Sequence, residues 1–250
     1  MIEFPFNFDR TVLEVFPASI WDNSLIVYHG TSSYYSGQIE KNGFTRGHCP
    51  FDPALGRQLV ALLRHSEVCS YDPPSGALQM NVAAIIEQYL NNISVGIRLS
   101  FSPLSGQAAL YATGALKGGQ ILGQIRSAQQ IIARCLDDRG SAKVPIEISA
   151  AVSTIEPLFK MADEVMTSPG VVYAVQLPDS LEGIQVDLNI VYSTMDLPAT
   201  SLVGKVMVPG SETRDSLGAS SHHRRISQKL ADHKSIRSVL MRREFNNGGF

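Results

Sequence analysis

The segment Tyr28-His29-Gly30-Thr31-Ser32 sets an imidazole, a glycine and two hydroxyls in succession, residue types suited to holding a polar ligand. The imidazole can bond a sugar hydroxyl, the glycine lets a ligand approach the backbone closely, and the amides that follow offer donors. A strand-to-turn junction without chemistry has the same composition. A second segment, Leu99-Ser100-Phe101-Ser102, is followed by Ala108, Ala109 and Tyr111 and reads as a strand end entering a helix. The Tyr111 ring can lie over the mouth of a cleft beside His29 and stack on a flat heterocycle. A third segment, Asp187-Leu188-Asn189-Ile190-Val191-Tyr192, then Leu197-Pro198 and Leu202, reads as a late strand and turn.

Other elements must position these three. Asp22 and Asn23 open a short strand, Ser24 to Tyr28, that runs into His29. A helix is expected over 33–41, ended by Asn42-Gly43. Leu55, Leu59, Leu62 and Leu63 recur at helical spacing, as do Leu78, Val82, Ile85, Ile86, Tyr89 and Leu90. A strand at about 95–101 ends at Ser102-Pro103, and an Ala-rich helix follows. Beyond Gly118-Gly119 the stripe Ile121, Ile125, Ala128, Ile132 and Cys135, with Arg126, Gln129 and Gln130 opposite, predicts an amphipathic helix. A further helix is expected at about 149–166. From Gly170 the pattern turns to strands at 171–177, 184–192 and 202–208, and the Ser- and Gly-rich stretch 210–221 reads as a linker. The fold class is therefore α+β, with helices inserted between early, middle and late strands.

Composition excludes several function classes. Of 250 residues 44% are hydrophobic and 18% charged, which suits a folded core and not a disordered chain. Lys and Arg total 21 against 23 Asp and Glu, a formal charge of -2 that excludes a globally basic nucleic-acid binder. The total hides a split, because residues 221–250 carry +5 and leave -7 for the first 220. In that tail Arg224, Arg225, Lys229 and Arg237 can neutralise phosphates and steer a nucleic acid. A solvated helix docking Ile226 and Leu230 on the core or a partner accounts for the same pattern. The start, MIEFPFNFDR, lacks a basic segment leading into an apolar run, and no stretch approaches the ~18–20 apolar residues of a membrane span. Cys49, Cys69 and Cys135 cannot all pair within one chain. These features point to a soluble cytoplasmic protein without a membrane partner. His48, Cys49, His65 and Cys69 are zinc-ligating types, but the adjacent His48-Cys49 pair suits one tetrahedral ion poorly, so no metal is expected. Phosphate-loop and dinucleotide glycine patterns are absent.

Together the three segments resemble the ADP-ribosyltransferase superfamily, in its diphtheria-toxin and poly(ADP-ribose) polymerase branch. That family opens with a Tyr/Trp-His-Gly-Thr/Ser strand and a helix whose last turn carries an Ile and a Gly. Tyr28 to Gly43 follows this pattern, including Ile39. Its second motif places a Tyr eleven residues after a first Tyr at a strand end. Ser100 and Tyr111 have that separation, with Ser100 in place of the first aromatic. Its third motif is a strand bearing a catalytic Glu and continuing as Val/Ile-Val-Tyr. Ile190-Val191-Tyr192 to Leu202-Val203 fits, while the ungapped register puts Leu188 at the Glu, flanked by Asp187 and Asn189.

The resemblance implies a split β-sheet core over 1–210 with helical insertions at about 50–92 and 115–168, then a linker and basic tail over 211–250. It implies NAD as co-substrate, bound by Tyr28, His29, Gly30, Thr31, Ser100, Phe101, Ser102 and Tyr111. His29 would hold the adenosine ribose, the Gly30 backbone and Ser102 the nicotinamide amide, and Tyr111 would stack on the ring. His29, Tyr111, Asp187 and Asn189 would form the catalytic set. The implied reaction is toxin-type mono-ADP-ribosyl transfer to a macromolecule, with RNA or DNA favoured over protein and an antitoxin or chaperone as further partner. A carboxylate near the ribose stabilises the positive charge of the transition state and orients an acceptor sugar. Its loss from the expected register argues against polymer synthesis. Single-unit transfer through Asp187, transfer relying on the target's own groups, or a chain that only binds all remain. RNA 2'-phosphotransferase chemistry leans on several arginines in the cleft and ranks last.

Overall fold

Uninterrupted apolar runs go to the middle of a sheet, where both faces are covered, and the run VVYAV at 171–175 is buried throughout. The computed structural model describes residues 1–9, 14–21, 25–65, 68, 73–93, 96, 98–114, 117–139, 144–187 and 190–210. The strands are β1 (Ile2–Phe4), β2 (Ile26–Ser32), β3 (Leu99–Phe101), β4 (Gly170–Gln176), β5 (Ile184–Asp187), β6 (Ile190–Ser193) and β7 (Leu202–Val208). The helices are α1 (Ser36–Asn42), α2 (Pro53–Leu63), α3 (Pro73–Asn92), α4 (Ser105–Thr113), α5 (Gln120–Arg139) and α6 (Ile146–Thr167). The fold class is α+β, as the sequence predicts.

The chain divides into two compact units, one of Met1–Arg46, Arg98–Gly114 and the stretch from Pro169, the other of Gly47–Ile97 and Ala115–Ser168. The first unit holds every strand among the described residues. One sheet has the order β1-β7-β4-β2, antiparallel except for the β1–β7 pair, and the other has the antiparallel order β3-β6-β5. Among the described residues they meet at one bridge, between Tyr28 and Ser102, so the sheet is split.

Helix α4 packs on one face of the larger sheet through Ala108, Ala109 and Ala112, against Tyr28, Val172 and Ala174. Small side chains on the helix and glycines on the strands let the backbones approach. A Cβ on Gly30 would sit 1.7 Å from the Ala108 carbonyl oxygen, and one on Gly170 would sit 2.5 Å from that of Ala112. The start of α4 is braced from the N-terminal segment. Ser105 N–H and its hydroxyl both donate to the Glu14 carboxylate, and Val15 N–H donates to Ser105 Oγ at 2.7 Å. An anionic acceptor at a helix start satisfies an otherwise orphan amide and suits the helix dipole.

The second unit is helical. Leu59 and Leu63 of α2, Val82 and Ile86 of α3, Leu122, Ile125 and Ile132 of α5, and Ile155 and Leu158 of α6 are all buried. The α5 stripe from Ile121 to Cys135 is on the buried side, as its periodicity predicts. Asp52 caps α2 by accepting from Ala54 N–H at 2.8 Å, and Arg64 makes a two-bond pair with Glu87 across α2 and α3. Lys117 is buried, donates to the Ser168 carbonyl at 2.5 Å, and has its pKa lowered by burial. Among the described residues no helix is long and apolar enough to cross a membrane.

Three expectations about the strands are corrected. His29 to Ser32 do not follow the first strand but belong to it, each paired with a residue of β4. The strand read at about 95–101 is shorter, Leu99–Phe101. The run 184–192 is two antiparallel strands, with Asp187 opposite Ile190, and not one strand. Asp and Asn favour turns over strand interiors, and they flank the middle of that run.

The brace on α4 makes a measurable contribution. Ser105→Ala removes the acceptor of Val15 N–H at a fully buried position. We expect a loss of about 1–3 kcal/mol in urea unfolding, the cost of stranding a buried donor. A loss below about 0.5 kcal/mol, the lower limit for a net hydrogen bond, would mean that the brace adds nothing.

Candidate functional site

Strand β2 is an edge strand, and its residues alternate between two environments. Tyr28 lies in the cluster beneath α4, stacked on Phe16 with ring centroids 5.4 Å apart. His29 points to the other face, where its half-buried ring meets Phe44 at 4.7 Å and the edge of Phe101 at 5.7 Å. Phe44, Phe101 and Tyr173 belong to the same cluster as Val27.

The site forms where the two sheets part. Tyr28 and Ser102 exchange both backbone hydrogen bonds, each at 2.7 Å. In an antiparallel ladder the next two-bond rung falls two residues on, between Gly30 and Ser100. Instead the Ser100 carbonyl accepts from His29 Nδ1 at 3.0 Å. The alternation that directs Tyr28 toward Ser102 also directs the Gly30 N–H and C=O away from β4, into the gap. A carbonyl only accepts, so the neutral imidazole carries its proton on Nδ1 and presents Nε2 as an acceptor. Burial lowers the His29 pKa below the usual 6.5, an effect partly offset by the Ser100 carbonyl.

Several residues read as ligand-binding have other work. The Tyr28 side chain is a core residue, 1% exposed. Gly30 lacks a Cβ because Ala108 occupies that space, so ligand approach is not needed to explain the glycine. The buried Ser102 hydroxyl accepts from Leu104 N–H at 3.1 Å and lies 2.8 Å from the Leu104 carbonyl and 2.7 Å from Gln107 Oε1. Its single proton serves one of those two acceptors and is not held ready for an amide ligand. Thr31 is buried in the strand. Ser100 is exposed on β3, paired with Tyr192. Tyr111 is 38% exposed, one helical turn beyond Ala108 and Gln107 on the same side of α4. Among the described residues, the aromatic rings that reach His29 are Phe44 and Phe101, not Tyr111.

Asp187 ends β5, while Leu188 and Asn189 lie outside the described residues, as do Arg224, Arg225, Lys229 and Arg237.

The sequence reading missed a polar row. Glu3, Lys205, Tyr173 and His29 stand opposite one another on four adjacent strands. Lys205 Nζ reaches Glu40 of α1 at 3.1 Å and Glu3 at 3.3 Å, and the Tyr173 hydroxyl donates to the same Glu40 oxygen at 3.2 Å. The hydrogen bond that Lys205 donates to Glu40 raises the Lys205 pKa, and burial is the main cause that raises that of Tyr173. No sequence spacing announces such a row, because its paired members are 32 to 202 residues apart and only sheet register unites them. Phe44 was nearer to hand: it follows Gly43, whose φ of 76° ends α1.

The lowered His29 pKa fixes a sign. The unfolded chain takes up the proton near pH 6.5 and the folded chain only at lower pH. The unfolded state therefore binds more protons below about pH 6.5, and stability falls as pH drops through that window. His48 is lowered by burial as well and acts in the same sense. The measurement is thus a difference, with urea unfolding of wild type and His29→Asn compared between about pH 6.5 and 5. A shallower fall is expected in the variant. Equal slopes would mean that the fold does not oppose protonation of His29.

Comparison of the chain with protein-family models, with curated proteins and with solved structures finds no match to any of them.

Proposed function

We propose that this chain is an NAD-dependent mono-ADP-ribosyltransferase of toxin type, acting on a macromolecule, with RNA or DNA favoured over protein. The observation that carries the reading is the arrangement at the split. One edge strand offers the Nε2 acceptor of His29 and, one residue on, a peptide N–H and C=O turned into the gap. A ribose hydroxyl suits the first, and a planar carboxamide, which needs one donor and one acceptor side by side, suits the second. NAD carries both groups. Tyr111, one turn along α4 from the backbone that packs on Gly30, is the aromatic available at this end of the helix.

In the transfer, the bond between the ribose anomeric carbon and nicotinamide breaks, and its electron pair leaves with nicotinamide. A lone pair on the acceptor forms the new bond, and the acceptor's proton passes to solvent or a nearby base. His29 would hold NAD by its adenosine ribose and the Gly30 peptide by its nicotinamide amide, and together they would orient the bond that breaks. Positive charge develops on the ribose, so a carboxylate counts more in the transition state than in the ground state. Asp187 is the acid of the third motif and would supply that charge, with Asn189 beside it. The basic residues Arg224, Arg225, Lys229 and Arg237 would hold a nucleic-acid acceptor.

Leu188 in the register of the expected Glu favours a second reading, a chain that binds NAD or a protein partner without transfer. Incubation with NAD labelled in the adenylate, together with total cell RNA, DNA and protein, separates the two. The proposal expects label in one acceptor class, nicotinamide released in equal amount, and loss of at least ~100-fold in His29→Ala, the scale of losing a key oriented group. Label in no class, with wild type matching His29→Ala, would remove the enzymatic reading. Calorimetric NAD binding without nicotinamide release would then establish the binding one.

A further inference from the structure

The geometry points to His29 as the spacer that keeps the split open: its imidazole takes the Ser100 carbonyl that the next rung would give to Gly30. This role is distinct from holding a ribose through Nε2, since it uses the other ring nitrogen and needs no ligand. The ladder between β2 and β3 begins with two short bonds, Tyr28 N–H to Ser102 and Ser102 N–H to Tyr28, both 2.7 Å. Strands joined so closely tend to continue pairing, because each new rung satisfies two more peptide groups. Ser100 is oriented to continue it. Leu99 and Phe101 share the ladder with Ser193 and Val191 of β6, and by the same alternation the Ser100 peptide groups face β2.

What occupies that carbonyl is His29 Nδ1, at 3.0 Å. The imidazole is itself held by Phe44 and Phe101, so it cannot swing away without leaving two aromatic contacts. On the far side Gly30 is pressed against Ala108, which keeps β2 seated on α4 and not drawn toward β3. His29 thus acts as a positioning residue, and the Gly30 peptide keeps both its donor and its acceptor for something other than β3. That the something is the carboxamide of NAD rests on the transferase reading; the spacer itself does not.

Two NAD-free measurements test it, so failure here is distinguishable from failure of the transferase reading. In the wild-type protein at pH 7.5, long-range proton–nitrogen correlation should show His29 neutral with the proton on Nδ1. A proton on Nε2 would overturn the proposal without any variant. Amide hydrogen exchange at Gly30 is the second. In His29→Ala the Ser100 carbonyl is released, and Gly30 N–H should become protected by roughly five- to tenfold, the factor one net hydrogen bond carries. In His29→Asn the side-chain amide can donate to Ser100 again, and Gly30 should return to the wild-type rate. Equal Gly30 rates in all three proteins would also overturn it. Should the alanine variant fail to fold, the tautomer and the asparagine variant still decide, because Asn is then required to keep Gly30 as unprotected as in the wild type.

Discussion

Among the described residues the two sheets of the first unit share one pair of backbone hydrogen bonds, between Tyr28 and Ser102, and the arrangement of the candidate site follows from where that pairing stops. A ladder that stops between strands still close together must dispose of the peptide groups of its missing rung. A net hydrogen bond is worth about 0.5–1.5 kcal/mol, whereas a buried polar group left unsatisfied costs about 1–3 kcal/mol. The second figure is the larger, so the missing rung has to be replaced. His29 replaces half of it by donating to Ser100, and the Gly30 peptide faces the opening, where water or a ligand can serve it.

Packing and recognition meet at Gly30 without competing, because they use different directions. Its Cα face is closed by the Ala108 carbonyl, and its peptide edges lie in the plane of the sheet. Glycine is therefore required by the helix, and the candidate site inherits it. The same logic runs through α4, whose Ala108, Ala109 and Ala112 permit the approach and whose first turn is fixed by Glu14. Tyr111 gains its place on α4 from these contacts.

Elements set by local pattern were legible in the sequence. The α5 stripe, the helix end at Asn42-Gly43 and the buried run of β4 each depend on neighbours in the chain, and each is where its pattern puts it. The hairpin of β5 and β6 was misread because its apolar residues run on without a glycine, leaving only Asp187 and Asn189 as turn signals. The site was legible in its residue types and not in its contacts. Tyr28 and Ser102 have side chains that could bind a ligand, but one fills the core and the other fastens the start of α4. Glu40 and Lys205 entered no motif, since their meeting depends on β7 crossing to the centre of the sheet.

That polar row bears on the charge a transferase would need. Glu40 is the carboxylate tied to the row that ends in His29, yet one of its oxygens already serves Tyr173 and Lys205, so its charge is compensated. On the proposed reading, the stabilising charge must then come from the 187–189 segment or from the acceptor. Losing one preorganised group typically costs about 2.7–4 kcal/mol, or 10²–10³ in rate. Repeated chain growth needs such a group at every cycle to orient the acceptor sugar, whereas a single transfer to a scarce target tolerates a slow step. A nucleic-acid acceptor also brings phosphates of its own, at a density of one charge per ~1.7 Å of duplex. The net +5 of residues 221–250 is suited to hold them. On that reading the leucine at 188 and the basic tail would both suit an acceptor that brings negative charge of its own.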